Sequence, residues 1–156
     1  MPPHKIALLA CLLAGCASAA PPATRLALPT YDVSLPFPIP ASCPQNPYAD
    51  PSQLTPLMRS ASQYWIGTNT LAAGHPDGAA WHDGANRVQW ASSAARPAVE
   101  VNALGFRAPA ASLVNQNDTP PLYAATITFP GSGCWEIVAT AASQTLRFVV
   151  YVYPAR

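Results

Sequence analysis

The chain has 156 residues, 8 basic and 7 acidic, giving a formal charge of +1, and only 10% of it is charged where about a quarter is usual. That balance excludes a basic face for nucleic acid and an acidic face for cationic partners. With 19 prolines and so few charges, the surface falls to serine, threonine, asparagine, glutamine and backbone groups.

In chain order, residues 1–15 have the layout of a secretory signal peptide: His4 and Lys5, an apolar run over 6–13, then Ala14 and Gly15. The run is too short to span a bilayer. Leu13-Ala14-Gly15-Cys16 resembles the lipobox of bacterial lipoproteins, in which the cysteine thiol takes a diacylglyceryl group before the peptidase cuts ahead of it. The resemblance implies that Cys16 is the lipidated N-terminus, against an ordinary signal peptide cut near Ala17-Ser18-Ala19. Acyl chains contribute about 0.8 kcal/mol per buried methylene, so two or three would hold the protein on a membrane nearly permanently. Ala17 after the cysteine implies, by the same resemblance, the periplasmic face of the outer membrane in a Gram-negative cell. The expected address is the cell envelope, with the membrane as a partner through the lipid anchor.

Removing the signal leaves roughly 140 residues, one domain's worth. Residues 16–42 are rich in alanine and proline and end in Pro36-Phe37-Pro38-Ile39-Pro40, which reads as an extended tether; Leu35, Phe37 and Ile39 allow an edge strand instead. Cys11 leaves with the signal and Cys16 is consumed by lipid, so a disulfide between Cys43 and Cys134 is the economical reading in an oxidising compartment. A loop of that length is worth about 4 to 5 kcal/mol in the chain-entropy model. A copper-binding or redox pair would want a CxxC motif or a nearby Met/His set, and neither is present.

The domain is expected over 43–156. Its first piece, 44–56, is turn-rich, and Leu54, Leu57 and Met58 allow a single helical turn. Residues 63–68 and 87–90 read as strands by composition, with a glycine-rich loop over 72–84 between them. Val99-Glu100-Val101-Asn102-Ala103 alternates as a half-buried strand should. A long stretch with Pro109, Pro120 and Pro121 follows. The pattern then sharpens: 122–129 puts Tyr123, Ala125, Ile127 and Phe129 on one face, then come Trp135, Ile137 and Ala139, then Leu146, Phe148, Val150 and Val152. Six or seven short strands without a sustained helical period predict an all-β protein, an immunoglobulin-like antiparallel β-sandwich following the signal peptide and the Pro/Ala-rich tether. A small barrel is the alternative.

The segment Thr126-Ile127-Thr128-Phe129-Pro130-Gly131-Ser132-Gly133-Cys134-Trp135-Glu136-Ile137, followed by Leu146-Arg147-Phe148-Val149-Val150-Tyr151-Val152, resembles the ending of uncharacterised bacterial lipoproteins in which Gly-Cys-Trp-Glu closes an immunoglobulin-like domain. The resemblance implies a fold and an address, not a reaction. Physically, Pro130 and Gly131 turn the chain, and Cys134 and Trp135 then point to opposite faces of a strand, so one can form a staple while the other packs.

His75, Asp77, His82 and Asp83 form the one cluster with metal-ligand chemistry, and His75 with His82 on a folded loop is a zinc or copper candidate. The alternative is a solvated loop whose aspartates cap backbone N–H groups. No Gly-x-Ser-x-Gly elbow, phosphate loop or paired-carboxylate spacing occurs, so the expectation is no enzyme and no cofactor. Trp65, Trp81, Trp90 and Trp135, with Tyr64, Tyr151 and Tyr153, are the candidates for an aromatic platform recognising an envelope protein or glycan, and equally for core. The sequence reads as a tethered, non-catalytic binding or structural domain, with a periplasmic metal-binding protein as the alternative.

Overall fold

The computed structural model describes residues 30–31 and 38–155; Cys16, the signal region and most of the expected tether lie outside them. Strands β1 (Thr30–Tyr31) and β2 (Tyr48–Ala49) come first, then a 3-10 turn (Pro51–Gln53) and the short helix α1 (Pro56–Ala61). β3 (Trp65–Gly67), β4 (Leu71–Gly74), β5 (Trp81–His82), β6 (Gly84–Ser92), β7 (Ala98–Ala103), β8 (Ser112–Thr119), β9 (Leu122–Phe129), β10 (Gly133–Ala141) and β11 (Gln144–Tyr153) follow.

Side chains two apart share a strand face, so apolar residues at alternate positions force one face inward. That is what β6, β9, β10 and β11 do, each alternating buried and more exposed residues over most of its length. The buried faces meet in one core. Val88, Trp90, Tyr123, Ala125, Ile127 and Phe129 come from one sheet and Trp135, Ile137, Ala139, Phe148, Val150 and Val152 from the other. Each large side chain buried there contributes roughly 1.5–3 kcal/mol.

The sheets run β3-β4-β6-β9-β8 and β5-β11-β10-β7. Consecutive strands β6 and β7, β7 and β8, and β9 and β10 lie in opposite sheets, so the chain crosses the core repeatedly in a Greek key. The order β4-β6-β9-β8 against β11-β10-β7 is the ABED and GFC order of the immunoglobulin sandwich. The fold is therefore an immunoglobulin-like all-β sandwich, as the spacing of apolar runs predicts. One pairing departs from the antiparallel expectation: β5 runs parallel to β11, Trp81 opposite Val152 and His82 opposite Tyr153.

Cys43 and Cys134 are joined, with an S–S distance of 2.11 Å and a Cα–Cα distance of 5.5 Å. Cys134 lies on the outer side of β10 while its neighbour Trp135 is 1% exposed in the core, which is the opposite-face arrangement expected of the Gly-Cys-Trp turn. The bond thus fastens the segment before β2 to the outside of one sheet; it does not bridge the two sheets. That segment follows the edge of β11 that β5 leaves open. Asn46 N–H donates to the Val149 carbonyl at 3.1 Å, and the side-chain oxygens of Asn46 and Gln45 accept from the Val149 and Tyr151 N–H groups at 2.8 and 3.2 Å.

Three local expectations change. Thr30 and Tyr31, inside the span read as tether, pair with Ala49 and Tyr48. The glycine-rich loop over 72–84 contains most of β4 and all of β5, and β8 occupies part of the stretch read as irregular. The helical turn near Leu57 is α1, started by Pro56 and by Thr55, whose Oγ1 accepts from Met58 N–H at 3.2 Å. It covers a second small core on the outer face of the five-stranded sheet, built from Ala49, Leu54, Met58, Trp65 and Ala72.

Candidate functional site

The four tryptophans form no surface platform. Trp65, Trp81, Trp90 and Trp135 are each 1% exposed or less, because every one of them occupies an inward position of a strand or faces the α1 layer. A surface ligand cannot reach them. Their indoles act instead as anchors. Trp65 N–H donates to the Met58 and Ser62 carbonyls at 3.1 and 3.0 Å, Trp81 N–H to the Tyr48 hydroxyl at 3.1 Å, and Trp135 N–H to the Gly131 carbonyl at 3.1 Å. Trp90 N–H alone is buried without a partner.

The His75/His82 pair does not converge on a metal either. His75 is 1% exposed, its ring stacked on Trp81 with centroids 4.3 Å apart and planes 10° from parallel. Its Nδ1 lies 2.7 Å from the Gly78 carbonyl. A carbonyl only accepts, so Nδ1 carries the proton and Nε2 is left as a buried lone pair without a partner. Burial lowers the His75 pKa, opposed by the Gly78 bond and the Asp77 carboxylate and reinforced by the charges of His82 and Arg87. His82 is held by its backbone, which exchanges hydrogen bonds with the Asn86 side chain, while its ring neighbours Tyr153. Among the described residues no group of three or more His, Cys, Asp or Glu is placed to hold a metal ion, and neither imidazole is hydrogen-bonded to a serine hydroxyl.

What the loop and helix do build is a polar cleft of about 420 Å³, open to solvent, between the end of α1 and residues 76–78. α1 stops because Ser62 turns extended, its N–H closing on the Met58 carbonyl. The chain then passes Gln63 and Tyr64 into β3. Across the cleft stand Pro76, Asp77 and Gly78. His75 braces the two walls against each other: its N–H donates to the Tyr64 carbonyl at 2.9 Å, and Ser62 Oγ donates to its carbonyl at 2.9 Å. Asp77 accepts from Arg87 Nε at 2.9 Å and from its terminal nitrogen, and that bond above all holds its carboxyl below the usual carboxylate range. Arg59 and Gln63, exposed on the helix side, make no side-chain bond of this kind with the described residues. Sequence reading missed this site because its two walls belong to different segments, 59–64 and 76–78, and none of its residues forms a motif; the one legible signal was the cluster of His75 and Asp77 on a turn.

The site thus belongs to an immunoglobulin-like sandwich with a shallow polar cleft at one edge. No protein family, curated protein or solved structure matches the chain.

Proposed function

We propose that this chain is a lipid-anchored cell-envelope protein whose immunoglobulin-like domain serves a binding or structural role and performs no catalysis. One observation carries the reading: a Cys43–Cys134 disulfide is built into the fold, and such bonds persist in compartments reached by export. This agrees with the signal-like 1–15 and with Cys16 in its lipobox. Ala17 after the cysteine favours the periplasmic face of an outer membrane. The resemblance of the Gly-Cys-Trp-Glu ending to envelope lipoproteins points the same way, and so does the structural bond that holds the His75 ring. The partner is an envelope protein or glycan. Intact mass of the protein from the membrane fraction tests the reading, with and without reduction and alkylation. The expected result is a chain beginning at acylated Cys16 with two alkylation sites that open only on reduction, and a Cys16→Ser variant released to the soluble fraction. A chain starting elsewhere without lipid, or free thiols at Cys43 and Cys134, overturns it.

A further inference from the structure

We propose that the cleft between α1 and the 76–78 loop binds a saccharide carrying a carboxylate. This goes beyond the anchoring of the chain and does not rest on it.

The cleft is held open by its own framework. His75, buried and stacked on Trp81, hydrogen-bonds to Tyr64, Ser62 and Gly78 at once. Both walls are therefore tied to one buried residue, the helix side through its backbone and the loop through its ring, and the open cleft of about 420 Å³ is in the size range that small ligands occupy.

Its lining is polar, which selects a ligand recognised by hydrogen bonds. Charge selects further. In a chain where only 10% of residues are charged, this cleft gathers Arg59 and Asp77. Asp77 is neutralised by Arg87, which grips it through Nε and a terminal nitrogen and leaves it oriented as an acceptor. Arg59 has no acidic partner among the described residues and brings to the cleft a planar, two-pronged cationic donor suited to a carboxylate. Gln63 beside it both donates and accepts. A carboxylate for Arg59, together with hydroxyls that donate to Asp77 and exchange with Gln63, is the complement of an acidic sugar. A neutral sugar leaves Arg59 unmatched, and a simple anion leaves Asp77 and Gln63 unused.

Saturation-transfer NMR on the full-length protein in detergent, with D-glucuronate, D-glucose and acetate as probes, tests the proposal. Glucuronate is expected to bind at least about tenfold more tightly than either of the others, as loss of one charge-assisted contact implies. Arg59→Gln should weaken glucuronate about tenfold and Gln63→Ala severalfold, with the thermal midpoint unchanged because both side chains are exposed. Equal binding of glucuronate and acetate, unchanged binding in Arg59→Gln, or no transfer to glucuronate would overturn it. The titration reads the same whether or not Cys16 is acylated, so failure here is distinct from failure of the anchored reading.

Discussion

The sandwich and the pieces attached to it are held by different physics. In β9, β10 and β11 the side chains alternate, the registers are long, and Ile127, Ile137 and Val150 are fully buried. Apolar area and the backbone ladder fix those strands. The segment 38–49, α1 and the 75–80 loop are too short for that, and each is fastened by directed bonds: the disulfide and side-chain oxygens standing in for a missing strand, an indole N–H, and the His75 and Tyr48 hydrogen bonds, respectively. Trp90 sharpens the contrast. It lies within the sandwich and its N–H has no partner, whereas Trp65 and Trp81 give theirs to attached elements, α1 and Tyr48, and Trp135 gives its own to the β9–β10 turn. Burial without direction suffices for the sandwich; the attachments need direction because they have little area to bury.

Removing the disulfide should give the largest effect. Replacing both Cys43 and Cys134 by alanine opens a loop of sequence separation 91, and chain entropy puts the loss at about 4 to 5 kcal/mol in urea unfolding. Hydrogen exchange then separates the regions. Amides of 43–49 should lose protection first while those of β9 to β11 keep theirs. Simultaneous loss in both would mean that the attachment is as much a part of the cooperative unit as the sandwich, and the comparison would fail.

The indoles come next. Trp65→Phe strips the donor from the buried Met58 and Ser62 carbonyls and should cost roughly 1–3 kcal/mol. Trp90→Phe removes a buried N–H that had no acceptor, so the same ring truncation should be near neutral after its packing loss. Equal costs in parallel urea titrations would show that packing volume, not direction, governs both.

The sandwich was legible in the sequence where apolar residues alternate for eight or more positions, as in β9 and β11. β8 was not, because Ser112 to Thr119 puts only Leu113 against the core and slips register between Asn115 and Asp118. β4 hid for the opposite reason: Leu71, Ala72, Ala73 and Gly74 are all buried, packed on both faces, and show no alternation. The disulfide was readable because elimination left two cysteines. The tryptophans were legible as large aromatics open to two readings, platform or core, since composition does not say which face a strand turns inward; their burial decides for core. The cleft was illegible because each bond by which His75 joins residues 62, 64 and 78 has a backbone atom on at least one side, and backbone atoms have no sequence signature.

A pH titration probes that brace. Burial, chiefly, keeps the His75 pKa below the ordinary 6.5, so the folded protein favours the neutral ring. An unfolded chain takes up a proton below about pH 6.5 that the folded one refuses. Stability is therefore full above that pH and falls as pH drops from it towards the lowered folded value, by at most about 1.4 kcal/mol per pH unit. Urea midpoints of the native protein and His75→Gln, compared from pH 8 to about pH 4, should differ in slope within this window and run parallel above it. Parallel curves throughout would leave the brace without an acid-sensitive part.

The smallest effect should come from the surrogate strand. Asn46 gives its backbone N–H to Val149 and takes the Val149 N–H on its side-chain oxygen, so a single residue reproduces the reciprocal bonds that a neighbouring strand would supply. Asn46→Ala removes one of the two and should cost about 1 kcal/mol, whereas Asn46→Asp keeps the acceptor and should cost less. The Val149 amide should exchange faster in Asn46→Ala only. If Asn46→Ala costs nothing and Val149 stays protected, direction matters less at this edge than the disulfide, and the segment is held there by Cys43 and by Tyr48 beneath it. If Val149 opens alone, the bond works locally, as expected of an attachment that caps an exposed sheet edge without adding to its core.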